Sequence, residues 1–474
     1  MAKNYKAGMI KTTVIYFIGQ MSSRFLTVLL LPLYTNHIRT EAYGYFDIVQ
    51  IYLNVAVPFF FFEIWSALLR FALEEKRKEE KAKIITNCIA ICSGSALLFC
   101  GLYYIFQYFV NIEYSGYVII YAITWMIQLM SMSICRGFQD NIGYAISGII
   151  GVLAVSVFSL LGVFVFKWEI ETLFISNIIS FVLQSIFVLI RTRYYRYIKV
   201  SLLRKKVLYQ LLRFSIPLSI NTIFYWLLNS VNRVIIVENL GYGANGVYSV
   251  ANKLGNIVSA LVAIFMLSWQ EMTYKLEYKD KNEIQEMYDS EFGIVKRMLI
   301  LGVIALIPIT NIFFDILIGN DYKEVFSLIL PMYFMVFVTS LNAFIDVVYS
   351  AVHDTKSLLY VKVISGITNL LFMLLLVKKL GLFASPIAII FAQIVALIAN
   401  IVFLKPYLKI RIGYKYIAAS CGLFIISSWI YLNFNKLINF IWLIILGIGI
   451  LVVMKSTLAE YAEMIKQKFV KKYK

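Results

Sequence analysis

The chain has 474 residues, of which 61% are apolar and only 15% charged, with a net charge of +18. A soluble globular protein carries about 45–50% apolar and roughly 25% charged residues, so this chain cannot cover a water-facing surface. Lipid is the solvent that such a composition requires.

A membrane-spanning helix needs about 20 mostly apolar residues. In chain order, such stretches fall at roughly 10–35, 45–73, 84–110, 114–135, 142–166, 171–191, 207–237, 244–274, 297–318, 324–351, 357–377, 382–404, 412–433 and 438–455. That predicts an all-α protein of about 14 spans, since barrel strands would show alternating segments of about 10 residues instead. The first stretch is too long for the apolar region of a signal peptide, roughly 7–15 residues, and reads as a span that is retained. Pro58, inside the second stretch, predicts a kink there.

Placing the N-terminus inside puts 32 of the 44 Lys and Arg on cytoplasmic segments and 6 on external loops. This asymmetry predicts a multi-pass protein of the cytoplasmic membrane with both termini in the cytoplasm. The same basic loops face anionic headgroups, which accounts for the net charge without a nucleic-acid partner. The five cysteines and two histidines show no metal-ligand spacing, so no metal or other cofactor is expected.

An internal repeat organises the chain. Residues 42–54, AYGYFDIVQIYLN, and 244–256, ANGVYSVANKLGN, align at an offset of 202, pairing Ala42 with Ala244, Gly44 with Gly246, Phe46 with Tyr248 and Asn54 with Asn256. The repeat predicts two six-helix lobes, 1–200 and 207–405, joined by the basic connector RTRYYRYIKVSLLRKK at 191–206. A helix pair at 412–455 and a basic tail at 456–474 follow. An even number of spans per lobe relates the lobes by a pseudo-twofold along the membrane normal, with a cavity between them that rocking would expose alternately.

Polar side chains inside the lipid should face that cavity or pair with each other. In the first span Gln20, Ser23, Arg24 and Thr27 share one helical face. The seventh carries Asn221, Tyr225, Asn229, Asn232 and Arg233, and the eighth Ser249, Asn252, Lys253, Asn256 and Ser259. The second offers Asp47, Gln50 and Asn54, then Glu63 and Arg70. The candidate substrate-binding set is Arg24, Arg233, Lys253, Gln20, Asn229, Asn232, Asn252 and Asn256. Glu63, Arg70, Asp47, Asp346 and Lys362 are candidates for coupling or for internal ion pairs, with Asp346 and Lys362 expected to pair with each other. Three cations and few acids suit an anionic group such as a pyrophosphate, which Arg grips with forked bonds and Lys with a point charge.

The opening FIGQMSSRFLTVLLLPLYTNHIRTEAYGYFDIVQ and the segment LLRFSIPLSINTIFYWLLNSVNRVIIVENLGYGANGVYSVANKLGN resemble polysaccharide repeat-unit flippases of the Wzx type. These belong to the multidrug/oligosaccharidyl-lipid/polysaccharide (MOP) exporter superfamily, and the resemblance covers nearly the whole chain. It implies a MATE-like fold. It also implies transfer of undecaprenyl-pyrophosphate-linked O-antigen, capsule or related units through a cationic cavity, with a proton or sodium gradient for coupling. By position, Arg24 and Arg233 match basic residues of the first and seventh helices in related lipid flippases. A polysaccharide polymerase and a chain-length regulator are the implied protein partners. The alternatives are a multidrug exporter of the same superfamily, which would favour an acidic cavity, and a membrane glycan polymerase, which would carry a larger external loop than the short ones here. No catalytic constellation is present, so a carrier rather than an enzyme is expected.

Overall fold

The computed structural model describes residues 29–274, 281–352, 354–411 and 413–449. Within them the fold is all-α, and the chain divides into two compact units, residues 1–249 and 250–474.

The first unit begins with α1, Leu31–His37, the described end of the first span. Helices α2 (Thr40–Phe60) and α3 (Ile64–Glu74) follow and together make the second span, bent by 55° between them. Proline deprives the helix of one bond and crowds the carbonyl four residues back. The break nevertheless falls after Pro58, at Phe62 and Glu63, both in the left-handed region at φ 54° and 47°. The Glu63 amide there donates to the Pro58 carbonyl at 3.0 Å. Left-handed backbone costs about 1–3 kcal/mol per non-glycine residue, and this strain lies inside a span.

Helices α4 (Lys78–Phe109), α5 (Ser115–Gly137), α6 (Asn141–Phe164) and α7 (Ile170–Thr192) complete the first four-helix run. Lipid gives helices no hydrophobic reason to associate, so small residues and polar bonds hold them together. The α6–α7 contact follows that rule. A Cβ on Gly151 would strike the Gln184 side chain, and one on Gly162 would strike Thr172. Ser180 donates to the Gly151 carbonyl at 2.9 Å, and Gln184 to Ser180 at 3.0 Å. Outside the spans, Asp140 caps α6 by accepting from the Gly143 amide at 2.8 Å and is gripped by Arg191. That guanidinium holds the Asp140 carboxyl below its ordinary value.

The basic connector is stitched to α4. Thr86 donates to the Tyr197 carbonyl at 3.0 Å, while Asn87 donates to the Leu202 carbonyl at 3.1 Å and accepts from the Arg204 amide at 3.1 Å. After it comes α8, Lys205–Tyr274, in which the expected seventh and eighth spans form a single run interrupted only at Gly241. Gly241 has φ 85° and ψ 176°, a region open essentially to glycine alone.

The second unit holds α8 from Val250 onward, α9 (Lys281–Leu317), α10 (Val325–Ala351), α11 (Thr355–Leu380), α12 (Ala384–Phe403), α13 (Tyr414–Asn433) and α14 (Lys436–Gly449). Among its described spans the most enclosed is α10. Trp269 stacks on Phe344 with centroids 4.2 Å apart and donates its indole N–H to the Phe344 carbonyl at 2.9 Å. Tyr288 and Phe292 extend the same stack. As Asp140 caps α6, Asp354 caps α11, accepting from the Ser357 amide at 3.1 Å.

Among the described residues seven helices are long and apolar enough to cross a membrane, with 356–403 taken as one run, and the bent α2–α3 pair makes an eighth.

Candidate functional site

The first half of the sequence repeat lies on α2 and the second on α8, and inside the first unit the two copies meet. Gly44 and Gly246 sit where the helices cross. A Cβ on Gly44 would overlap the Tyr242 carbonyl oxygen and come within 2.6 Å of the Gly246 amide nitrogen. One on Gly246 would overlap the Thr40 carbonyl oxygen and lie 3.2 Å from the Gly44 amide nitrogen. Only glycine permits backbones to approach so closely.

One turn further along α2, Asp47 is buried, with 6% of its surface exposed. Its carboxylate collects donors from α8. Arg233 gives Nη1 to both oxygens at 2.9 and 3.0 Å, Ser249 gives its hydroxyl at 2.7 Å, and Asn245 gives its amide at 3.2 Å. Asn245 also donates to the Gly44 carbonyl at 2.8 Å, tying the polar cluster to the glycine crossing. The Tyr248 ring lies 5.8 Å from the Arg233 guanidinium carbon, within cation–π range. Charge-assisted bonds of this kind are about twice as strong as neutral ones. An uncompensated charge in the same place would carry a heavy desolvation penalty. Asp47 and Arg233 therefore belong to one neutral assembly.

The rest of the second span reaches α8 by other bonds. Trp226 donates to the Ile51 carbonyl at 2.7 Å, and Thr222 donates to Glu63 at 2.8 Å. Glu63 also accepts from Ser66 at 3.1 Å, so among the described residues this deep acid is held by hydroxyls. Gln50 turns the other way and donates to the Tyr121 hydroxyl at 2.8 Å, while Asn54 is exposed. Arg70 lies on the surface, paired with Glu74 at 3.2 Å and set over the Phe214 ring.

In the second unit Asp346 pairs with Lys362, bringing together the two residues that the sequence matched. Beside them, Asn342 donates to the Gln393 side chain at 2.9 Å, Asn400 donates to Asn342 at 3.1 Å, and Tyr349 donates to Asn400 at 2.9 Å.

Of the remaining candidates, Asn232 is buried, Asn252 and Lys253 are half-buried, and Asn256 is exposed. Gln20 and Arg24 lie outside the described residues, as does the side chain of Asn229. Sequence reasoning missed Asn245, Gln393 and Asn400. The last two stand seven apart on one face of an apolar helix, a signal that was present. Asn245 adjoins a repeat glycine, but its counterpart is Tyr43, so the alignment did not mark it. Among the described residues no group of His, Cys, Asp or Glu could hold a metal ion.

Outside the spans, Arg39 grips Glu169 at 2.8 Å and holds that carboxyl below its ordinary value. This pair ties the start of α2 to the start of α7.

Solved structures share this fold. A lipid II flippase, MurJ, in an inward closed conformation is 17% identical with a TM-score of 0.67, covering 95% of this chain and 100% of its own. An inward-facing multidrug resistance MATE family transporter of the MOP superfamily is 15% identical with a TM-score of 0.61, covering 86% of this chain and 98% of its own. An outward-facing MATE transporter of that superfamily is 14% identical with a TM-score of 0.52, covering 87% of this chain and 95% of its own. At these identities the likeness is one of fold. No match is found among curated protein sequences. The family model described as polysaccharide biosynthesis protein matches residues 9–269. That is more than half of a chain already seen to be an all-helical, multi-pass membrane protein, which therefore belongs to the polysaccharide biosynthesis protein family.

Proposed function

We propose that the protein is a flippase. It carries an undecaprenyl-pyrophosphate-linked oligosaccharide repeat unit from the cytoplasmic to the outer leaflet of a bacterial cytoplasmic membrane, for O-antigen, capsule or related surface polysaccharide. The observation that carries the reading is Arg233, a guanidinium in the predicted seventh span, held by Asp47 where the two repeat copies meet. An ionisable pair within a predicted span is costly and marks a functional site, and an arginine there is the residue suited to a phosphate group. A diphosphate on a lipid anchor is the anion that polysaccharide assembly would present. The family match and the fold shared with a lipid II flippase support the same substrate class.

In this reading the lobes 1–200 and 207–405 rock about a cavity carrying Arg24, Arg233 and Lys253, with Gln20, Asn229, Asn232, Asn252 and Asn256 for the sugars. The helix pair 412–455 and the tail 456–474 lie outside that cycle. Both termini face the cytoplasm. A proton or sodium gradient drives the cycle, with Glu63, Asp346 and Lys362 the groups to examine. A polymerase and a chain-length regulator receive the product.

The test is deletion followed by analysis of surface glycan and lipid-linked intermediates. Lost surface polymer, with intermediates accumulating on the inner leaflet, is expected. Normal surface glycan would overturn the reading. Raised dye sensitivity with normal glycan would replace it with drug export, the function for which the inward-facing MATE transporter of similar fold is named.

A further inference from the structure

The α2–α8 crossing is joined in two ways. Its centre is bare backbone, Gly44 against Gly246, flanked by the edge-on contact of the Tyr45 and Tyr242 rings at 5.3 Å. Its edge is a polar cluster whose donors converge on one carboxylate, Asp47. The closed arrangement is also incompletely satisfied. The Asn245 Oδ1 atom is buried and makes no hydrogen bond among the described residues, a cost that contact with water would remove. Gly241, three residues before Ala244, holds a backbone conformation that only glycine adopts, and nothing stands within 4 Å of where its Cβ would be. It is needed for its dihedral angles rather than for space, as a pivot requires.

We propose that this crossing is a latch keyed to the substrate's anion. Asp47 occupies Arg233 while the latch is closed, and a diphosphate that takes Arg233 over releases it. The proposal rests on the substrate class proposed above. The geometry favours the exchange. The Arg233 side chain is 21% exposed and that of Asp47 9%, so an arriving anion meets the cation first. Arg233 binds Asp47 through Nη1 alone, and a diphosphate can engage the whole fork. Once Arg233 is drawn away, Asp47 keeps Ser249 and Asn245 but loses its counter-charge, and a buried uncompensated carboxylate favours the arrangement in which water reaches it. The substrate thus supplies the differential interaction without which no ligand can shift a conformational equilibrium.

The test uses the purified full chain in detergent with Ser249→Cys as reporter. The alkylation rate at position 249 is followed by peptide mass, so the native cysteines do not interfere. Slow labelling is expected in this parent. Adding Asp47→Asn or Arg233→Gln should raise the rate by about tenfold or more, since each removes one partner of a buried pair. Inorganic pyrophosphate should accelerate the parent relative to chloride at matched ionic strength, and should leave both variants unchanged. The latch is overturned if both variants label at the parent's rate. Its keying by anion is overturned if pyrophosphate does not accelerate the parent. Monodisperse elution of each variant excludes misfolding as the cause of fast labelling. None of these rates depends on glycan export. Unchanged rates therefore sink the latch and leave the flippase reading, whereas normal glycan in the deletion strain sinks that reading and leaves the latch measurable.

Discussion

Among the described residues each unit pairs an acid with a cation on its long helices, Asp47 with Arg233 and Asp346 with Lys362, and the two pairs are built to different standards. Asp47 receives Arg233, Ser249 and Asn245 and is seated beside a glycine crossing. Asp346 receives Lys362, and its Oδ1 atom is buried without a hydrogen bond among the described residues. Lys362 is also 41% exposed, against 21% for Arg233. A fully bonded carboxylate fixes a helix contact, whereas a half-bonded one leaves an acceptor for something else. The exposure of the cation and the donors collected by the acid both distinguish them.

The sharpest way to break the comparison is to remove the seat of the better-built pair. Gly246→Val forces the α2 and α8 backbones apart, because the Thr40 carbonyl already occupies the space that its Cβ needs. The protein should still insert but give no complementation of surface glycan. Full complementation would mean that the crossing is not needed. Next comes the acid itself. Asp47→Ala leaves the partly buried Arg233 without its partner and should destabilise the purified protein by about 2–3 kcal/mol, read as a fall in melting temperature. Removing both members of the other pair, Asp346→Asn with Lys362→Met, should change stability by no more than about 1 kcal/mol, since a pair whose cation is 41% exposed contributes little. Equal losses at the two sites would erase the distinction.

Pairs outside the spans set the lower end of the scale. Arg39 holds the Glu169 carboxyl down, as Arg191 does that of Asp140. A depressed carboxyl contributes stability that is present above its unfolded value, about 4, and is lost as pH falls through the folded one. The melting temperature of the parent should therefore drop more steeply between pH 5 and about pH 3 than that of Glu169→Gln or Asp140→Asn. Parallel curves would show that these pairs contribute nothing. Smallest of all, Arg70→Ala removes an exposed pair four residues apart on α3 and should cost at most about 0.5 kcal/mol. A larger loss would point instead to its contact with Phe214.

How far the sequence reached differs between fold and site. Apolar runs of spanning length suffice for an all-helical membrane protein, because in lipid the backbone must satisfy itself. Local chemistry displaced some boundaries. Pro58 announced a kink, but the bend appears at Phe62 and Glu63, and Gly241 carries α8 through a place where a loop was expected. At the site, helical periodicity put Asp47, Gln50 and Asn54 on one stripe, and the structure sends them to three environments. A stripe gives a direction around its own helix and not the identity of the neighbour. The Asp346–Lys362 match was legible because their helices are consecutive and oppositely charged residues inside lipid have few alternatives. The Asp47–Arg233 match lies 186 positions apart, and only the tertiary fold could reveal it.

The repeat offset of 202 gives the glycine crossing one more meaning. Gly44 approaches Tyr242 while Gly246 approaches Thr40, and Thr40 and Tyr242 are themselves related by the same offset. Residue i of one copy touches j of the other, and j touches i, which is the rule of an isologous contact between identical subunits. A gene encoding a single copy would already have made this contact as a homodimer across a two-fold axis. Duplication and fusion would then have preserved it within one chain and left the two sides free to diverge, one into Asp47 and the other into Ser249.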